Sequence, residues 1–265
     1  MTNENKRDTN SEDGGSIILV LTSLLLVTTL VKGCDLLTPE ANITNTSEIV
    51  NNADEFVNKT ATIRSKPIEK VGLSSFTVSD ARFFRGEPIV VVNASGLPFN
   101  LPVDRNIEIQ VTGQVRNLVI SEIEREFKLR LQDEDYTDYI NKPAIIARYI
   151  TLAPKPGQVT QSPKQYYGRR VAVTGEVENI QSPVLLTLDK NQLFGGQDLL
   201  VLLKAPPKVA INEGRRVSII GEVRPFVVAE IERDYDFTWD LNVKKQLEVE
   251  YGNKPVLVAE TIYPS

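Results

Sequence analysis

Residues 107–116 read IEIQVTGQVR, and residues 217–224 read VSIIGEVR. In the first stretch isoleucine and valine alternate with polar residues, which is typical of a β-strand with one buried face. Each stretch also contains a glycine in mid-strand, Gly113 or Gly221. Such a glycine indicates a bulge or a sharp bend of the kind that lets a small barrel close. Both stretches therefore predict strands of a strongly curved sheet.

The two stretches belong to a longer repeat. Motifs that recur in the same order are residues 84–92 with 194–202, 113–116 with 221–224, 122–127 with 230–235, and 141–143 with 253–255. Corresponding residues stay about 110 positions apart, which is far longer than the repeat unit of a solenoid. The chain is therefore predicted to be an internal duplication of one module.

The remainder of each copy predicts further short strands and one helix. Strand patterns, either alternating or continuously apolar, occur at residues 60–64, 76–78 and 89–92 and again at 171–174, 186–188 and 199–202. Around Ile123 and Ile231 apolar residues recur at spacings of three and four, which predicts a helix in each copy. Pro143 and Pro255 then exclude helix and introduce the last strand.

Five short strands and one helix per copy resemble an oligonucleotide/oligosaccharide-binding (OB) barrel. The predicted fold class is mainly β, with two tandem five-stranded OB-like barrels, each with one helix, after an N-terminal apolar helix. The helix falls between the fourth and fifth strands, whereas an OB barrel usually has it between the third and fourth. Another small barrel or a β-sandwich is the alternative.

The N-terminal part contains a long apolar run. Residues 16–31 read SIILVLTSLLLVTTLV and carry no charge, close to the roughly 20 residues that span a bilayer. Shortly afterwards Gly33 precedes Cys34, the only cysteine. This ending resembles the lipobox of bacterial lipoproteins, although Lys32 departs from its usual small or apolar residue. The resemblance implies lipidation of Cys34, and an uncleaved signal anchor is the alternative. Both place the rest of the chain outside the cytoplasm, on a membrane.

These patterns predict a domain organisation. Its parts are a signal, lipobox or membrane anchor at residues 1–34, a polar tether at 35–47, an OB-like module at 48–152, a linker at 153–162 and a second OB-like module at 163–265. The order strand, Phe, Gly, Gly, strand, then Gly-x-Val-Arg, helix and Pro resembles a family of uncharacterised bacterial secreted or lipid-anchored proteins with tandem OB-like modules. That resemblance implies an architecture and no activity.

The composition disfavours several kinds of chemistry. The chain has no histidine, which is the commonest general base and zinc ligand, and its single cysteine cannot form an intramolecular disulfide or a thiolate cluster. A net charge of -5 is unlike that of a protein that coats phosphate backbones. We therefore expect no enzyme activity, no cofactor and no metal, and nucleic acid is a disfavoured partner.

A few charged residues recur between the copies and are weak candidates for an interaction site. They are Arg116, Arg125, Arg224 and Arg233. They could form an anion site, but salt bridges along a helix face are the commoner role. The recurrent carboxylates Glu122, Glu124, Glu230 and Glu232 suggest a hydrolase alternative. Residues two apart on a helix do not face each other, which weakens that alternative.

The function predicted from the sequence is that of a membrane-anchored, extracytoplasmic binding or interaction scaffold of the bacterial cell envelope. Its partner could be an envelope protein or a glycan. An OB-type oligonucleotide- or oligosaccharide-binding protein is the first alternative, and a carboxylate-based hydrolase is the second.

Overall fold

The computed structural model describes residues 43–80, 87–190 and 197–265. These residues belong to one compact unit. The predicted apolar helix, the lipobox and Cys34 lie outside them. In the part of the chain that is described, no helix combines the length and apolar character needed to cross a bilayer.

The first half of the chain contains six strands and three α-helices among its described residues. The strands are β1 (Ile43–Thr44), β2 (Thr60–Val71), β3 (Ser75–Ser79), β4 (Ile89–Asn93), β5 (Glu108–Asn117) and β6 (Pro143–Ala153). The helices are α1 (Thr46–Asn51), α2 (Ala53–Phe56) and α3 (Ile120–Phe127), with a 3-10 helix at Asp133–Tyr139.

Five of these strands form a closed barrel. β2 pairs with β3, β3 with β4, β4 with β6, β6 with β5, and β5 returns to β2. The β4–β6 pair is parallel and the others are antiparallel. The chain is thus mainly β and contains a five-stranded barrel, as predicted.

The second half contains a corresponding set of elements. They are α4 (Pro156–Gln161), a 3-10 helix (Pro163–Gln165), β7 (Arg170–Ser182), β8 (Leu185–Leu188), β9 (Leu199–Leu203), β10 (Arg216–Pro225), α5 (Val228–Tyr235), α6 (Leu241–Tyr251) and β11 (Pro255–Pro264). β7 to β11 pair in the cyclic order β7–β8–β9–β11–β10–β7, again with one parallel pair, β9–β11. The order of pairing is therefore the same in both halves.

The apolar residues of β4 explain why it is buried on both faces. Ile89 and Val91 belong to the main core cluster, whereas Val90 and Val92 pack with Ile123 of α3 in a second cluster. Since successive side chains of a strand point to opposite faces, α3 covers the outer face of the barrel beside β4. β9 repeats the arrangement under α5. The predicted strands at residues 89–92 and 199–202 are confirmed, and their continuous apolar runs are buried on both faces.

The mid-strand glycines lie at β-bulges. Thr112 of β5 pairs with Tyr149 of β6, and the next residue, Gly113, pairs with Ala147, so that Arg148 is the extra residue. A Cβ atom on Gly113 would overlap the carbonyl oxygen of Ile146. Glycine is therefore required because the neighbouring backbone approaches too closely for any side chain.

The second half repeats this arrangement. Gly221 of β10 pairs with Ala259 of β11, and Glu260 is the extra residue. A Cβ atom on Gly221 would overlap the carbonyl oxygen of Val258. The predicted role of both glycines as bends in curved strands is confirmed.

Left-handed backbone explains the recurrent Asn of the Asn-Lys-Pro motif. Asn141 and Asn253 have φ values of 63° and 59°. The backbone N–H of Asn141 donates to the carbonyl of Leu118, and that of Asn253 donates to the carbonyl of Phe226. Asparagine tolerates this conformation better than most residues. The turn before the last strand is therefore built in the same way in both halves.

Two boundary predictions need correction. The tether was predicted to reach residue 47, but Ile43 and Thr44 pair in parallel with β2, and Thr46 is buried in α1. The backbone N–H and the hydroxyl of Thr46 both donate to the Asp80 carboxylate. These contacts fix the last residues of the predicted tether to the barrel.

The predicted linker is likewise folded. β6 extends to Ala153, and α4 occupies Pro156–Gln161 with Val159 fully buried. Leu152 of β6 pairs with Val171 of β7, and a Cβ atom on Gly175 would contact Pro156. Pro156 and Gly157 of the predicted linker are buried, so this segment is packed against the rest of the chain rather than forming an open spacer.

Candidate binding site

A cavity, which we call the junction cavity, lies where the two halves of the chain meet. Its volume is about 300 Å³, and its walls come from the loop after β4, from β5 and β6, and from the second half. The lining residues that matter chemically are Leu97, Phe99, Gln110, Thr112, Arg148, Tyr149, Ile150, Arg170 and Ile220. The size is at the lower end of the range for small-molecule sites.

The strand pattern of β5 aims polar side chains into this cavity. Ile109 and Val111 point into the barrel core, so Gln110 and Thr112 point outward. The Thr112 hydroxyl forms a hydrogen bond of 2.9 Å with the hydroxyl of Thr62. On the neighbouring strand, the bulge places Arg148 at the cavity beside Tyr149, which is 37% exposed.

The second half contributes an arginine held in place by two contacts. The Thr151 hydroxyl of β6 donates to the backbone carbonyl of Arg170 at 2.7 Å. The Arg170 Nε donates to the Glu260 carboxylate at 2.8 Å. Arg170 therefore lines the cavity from β7, a strand that is hydrogen-bonded to the first half. Ile220 of β10 lines the cavity beside it.

A partly buried arginine lies behind Gln110. Nη2 of Arg64 donates to the carbonyl of Ala172 at 2.8 Å and to Oε1 of Gln110 at 3.3 Å. Burial lowers the pKa of the Arg64 guanidinium, and the charge of Glu108 opposes this shift. Arginine nevertheless stays protonated in proteins. Arg64 therefore joins the two halves and adds a positive charge close to the cavity wall.

The loop after β4 separates this cavity from a second one. Residues 97–99 line both, and the second cavity, of about 350 Å³, also includes Leu73 and Phe76. Leu97 is 72% exposed and Leu73 is 90% exposed. The rings of Phe76 and Phe99 lie 5.9 Å apart, which fixes the base of the loop on the barrel. The loop thus presents an apolar ridge to solvent.

Short-range hydrogen bonds shape the tip of the same loop. The Asn93 side chain donates to the carbonyl of Leu97 at 2.8 Å and accepts from the Ser95 hydroxyl at 2.6 Å. Gly96 has a φ of 75°, in the left-handed region that favours glycine. The exposed position of Leu97 is therefore set by an ordered turn.

The predicted residues Arg116 and Arg224 lie elsewhere, each against the helix that follows its strand. Arg116 Nη1 contacts the Glu126 carboxylate at 2.6 Å, and Arg224 Nη1 contacts the Asp234 carboxylate at 2.7 Å. Hydrogen bonds with Tyr235 and Asp234 raise the pKa of Arg224. Each of these arginines therefore fastens a helix to the strand that precedes it, and neither lines the junction cavity.

Arg125 and Arg233 lie on the solvent side of α3 and α5. Arg125 is exposed, and Arg233 pairs through Nε with the adjacent Asp234 at 2.8 Å. The structure does not bring the four predicted arginines together in one site.

Two of the four recurrent carboxylates, Glu124 and Glu232, are engaged with the backbone, and the other two, Glu122 and Glu230, pair with Arg116 and Arg224. Glu124 accepts a hydrogen bond of 2.7 Å from the backbone N–H of Leu131, and Glu232 accepts one of 3.2 Å from that of Trp239. A hydrogen bond from Lys244, and then that from Trp239, lower the pKa of Glu232. A general acid needs the opposite shift. Glu124 and Glu232 therefore hold the segment after each helix, and their geometry gives the hydrolase alternative no support.

The residues that form the cavity were not predicted as site residues. Arg148 and Arg170 have no distinctive motif, and they become neighbours only through the bulge and the β6–β7 contact. One signal was present in the repeat. The segment between β4 and β5 spans residues 94–107, whereas the corresponding segment between β9 and β10 spans residues 204–215. The first copy therefore has a longer and more apolar loop at this position.

A comparison of the chain with protein-family models and with curated proteins gave no match. The resemblance to bacterial secreted or lipid-anchored proteins stays a prediction. The function therefore has to be inferred from the cavity and the fold.

Proposed function

We propose that the protein is a non-catalytic binding scaffold, built from two tandem OB-like barrels and held by its N-terminal segment on the extracytoplasmic face of a bacterial membrane. The observation that carries the proposal is the junction cavity, which combines apolar walls with a few polar side chains aimed into it. That combination is typical of a ligand site. The ligand would be a small molecule or a protruding part of an envelope protein or glycan.

The OB-like description is supported by the strand pairing. Each half contains five strands in the same cyclic order with one parallel pair, and a helix covers the outer face of the barrel. The position of that helix, between the fourth and fifth strands of each set, departs from the usual OB arrangement. The helix lies away from the junction cavity and leaves it open.

Binding rather than catalysis is supported by the chemistry of the lining. The charged residues among the described lining of the cavity are Arg148 and Arg170, and its other polar side chains are one amide, three hydroxyls and a phenol. Arginine does not exchange protons near neutral pH, so it serves to hold an anion better than to move a proton.

The binding site can be tested by a fragment screen on the full chain, followed by ¹H–¹⁵N NMR. Amide shifts are expected to cluster at Thr112, Tyr149 and Arg170. The variant Thr112→Trp should abolish them because the indole fills the cavity, whereas Thr112→Val should retain them. Fragments that shift these amides no more than those of α6, or that bind Thr112→Trp equally well, would overturn the proposed site.

The membrane anchor is tested separately at Cys34. In a bacterial host, the wild-type chain is expected in the membrane fraction and to incorporate a clickable fatty acid, with at least about tenfold less label in Cys34→Ser. Thr22→Ser makes a comparable change within the apolar run and should keep the label. Membrane association without any label in the wild type would favour the signal anchor. Recovery of the wild type in the soluble cytoplasmic fraction would contradict the anchor altogether.

A further inference from the structure

We infer that the junction cavity takes a small amphiphilic anion, with a carboxylate, sulfonate or phosphate group beside Arg148 and an apolar body against Leu97, Phe99 and Ile150. The inference deepens the proposed function and rests on the same cavity. It adds the chemical class of the ligand, which the proposed binding role leaves open.

The charge balance of the cavity favours an anion. Two arginines line it, and no carboxylate is found among its described lining residues. Arg170 is already paired with Glu260, which does not itself line the cavity. Arg148 makes no ion pair with any carboxylate in the described ranges. It is therefore the cation whose charge is left for a ligand.

The setting of Arg148 differs from that of an ordinary surface arginine. It is the extra residue of the β6 bulge, so the bulge directs it away from the regular strand pattern. The equivalent bulge residue of the second half is Glu260, which has its own partner in Arg170. The bulge of the first half thus presents a positive charge at the position where the second half has a paired negative charge.

Arg64 reinforces the preference for an anion. It lies behind Gln110, which is only 4% exposed, and its hydrogen bonds are to neutral groups, Ala172 O and Gln110 Oε1. A charge in such a poorly solvated position acts over a longer distance than one in water. Arg64 therefore adds a positive charge behind the wall at Gln110, which the nearby carboxylate of Glu108 offsets in part.

Apolar residues supply the remaining contacts of the cavity. Leu97, Pro98 and Phe99 form one wall, and Ile150 and Ile220 form another. A volume of about 300 Å³ suits a compact aromatic system of two or three rings or a single short chain, and is too small for a complete two-chain lipid. The site therefore combines cationic and apolar lining residues in a cavity of limited size.

Two fluorescent dyes that share one skeleton test this inference on the full chain. 1-Anilinonaphthalene-8-sulfonate carries a sulfonate, and N-phenyl-1-naphthylamine is its neutral counterpart. The wild type is expected to bind the sulfonate at least about tenfold more tightly, since a hydrogen bond to a charged group is stronger than one between neutral groups. Raising the salt concentration should reduce this preference, because ions screen the interaction of exposed charges.

Variants locate the effect at the cavity. Arg148→Gln should weaken sulfonate binding about fivefold to tenfold and leave the neutral dye unchanged. Arg125→Gln removes an equally exposed arginine from α3 and should change neither. Leu97→Asp places a carboxylate at the exposed rim, where folding tolerates it, and should weaken both dyes, the sulfonate more strongly.

The outcomes distinguish failure of the anionic ligand class from failure of the proposed binding function. Equal affinity of the wild type for both dyes, or Arg148→Gln binding the sulfonate as the wild type does, would overturn the anionic ligand while leaving a binding cavity. Failure of both dyes to bind, together with an unperturbed NMR fragment screen at Thr112 and Tyr149, would overturn the proposed binding function itself.

Discussion

Gly113→Ala is expected to lower the free energy of unfolding by about 3 kcal/mol or more, at the upper end of what overpacking costs. The added methyl group would overlap the carbonyl oxygen of Ile146, which belongs to the backbone of β6 and cannot rotate away. Relief requires β5 and β6 to separate at the bulge, which breaks ladder hydrogen bonds beside the cavity. Urea denaturation followed by far-UV circular dichroism would measure the loss.

Two other glycines provide comparisons. Gly221→Ala meets the same obstacle at the carbonyl of Val258 and should have an effect of similar size. Gly214 has a φ of 75° and open space around it, so Gly214→Ala should cost only the left-handed strain of about 1–2 kcal/mol. Equal losses for Gly113→Ala and Gly214→Ala would show that backbone approach is not the reason for glycine in the strand.

Phe226→Ala is expected to lower the free energy of unfolding by about 3–5 kcal/mol. The change removes a fully buried aromatic side chain from the apolar cluster between the strands of the second half and the helices α5 and α6. The Phe226 ring lies 6.3 Å from that of Trp239 and 6.2 Å from that of Tyr251. Trp239 precedes α6 and Tyr251 ends it, so these contacts hold both ends of α6 against Phe226. The variant should therefore loosen α6 before the strands separate.

Tryptophan fluorescence measures this loosening directly, since Trp239 is the only tryptophan of the chain. In Phe226→Ala the fluorescence emission of Trp239 is expected to shift to longer wavelength at a lower urea concentration than the one at which the circular dichroism signal is lost. Val249→Ala also lies on α6 but is 89% exposed in the wild type, and should change stability by less than about 0.5 kcal/mol. Coincident fluorescence and circular dichroism transitions in Phe226→Ala would contradict a separate role for these aromatic contacts.

The strands and their glycines were predictable because the signals are local. The alternation of apolar and polar residues indicates the buried face of β5, and continuous apolar runs indicate β4 and β9. The duplication shows each pattern twice. The close approach of Ile146 to Gly113 is a tertiary contact. Its consequence, a glycine in mid-strand, is nevertheless visible in the sequence.

Helix α6 was not predicted, and its composition explains why. Leu247, Val249 and Tyr251 alternate with polar residues as in a strand, yet Val249 faces solvent and only the other two are buried. The Asp240 carboxylate caps the helix by accepting from the backbone N–H of Asn242 and Val243. Two local signs of a helix were nevertheless present: this capping residue, and the spacing of four that separates Val243, Leu247 and Tyr251, which pack in one apolar cluster.

The junction cavity could not be predicted from sequence patterns. Arg148 and Arg170 are 22 positions apart and belong to different copies of the repeat. Their proximity depends on the bulge in β6 and on the pairing of Leu152 with Val171. The recurrent arginines predicted as candidates were conspicuous because they repeat. Two of them, Arg116 and Arg224, serve what both copies share, namely the attachment of a helix to the strand before it.

The cavity has a consequence for how such a protein could originate. A chain with a single repeat would lack Arg170 and Ile220, so it could complete the site only by pairing with another copy. A pair of identical chains carries the same residue at both bulges, and two arginines or two glutamates would then be present. Fusion of two repeats in one chain allows Arg148 in one bulge and Glu260 in the other. Gene duplication followed by divergence therefore supplies an asymmetry that a homodimer cannot encode.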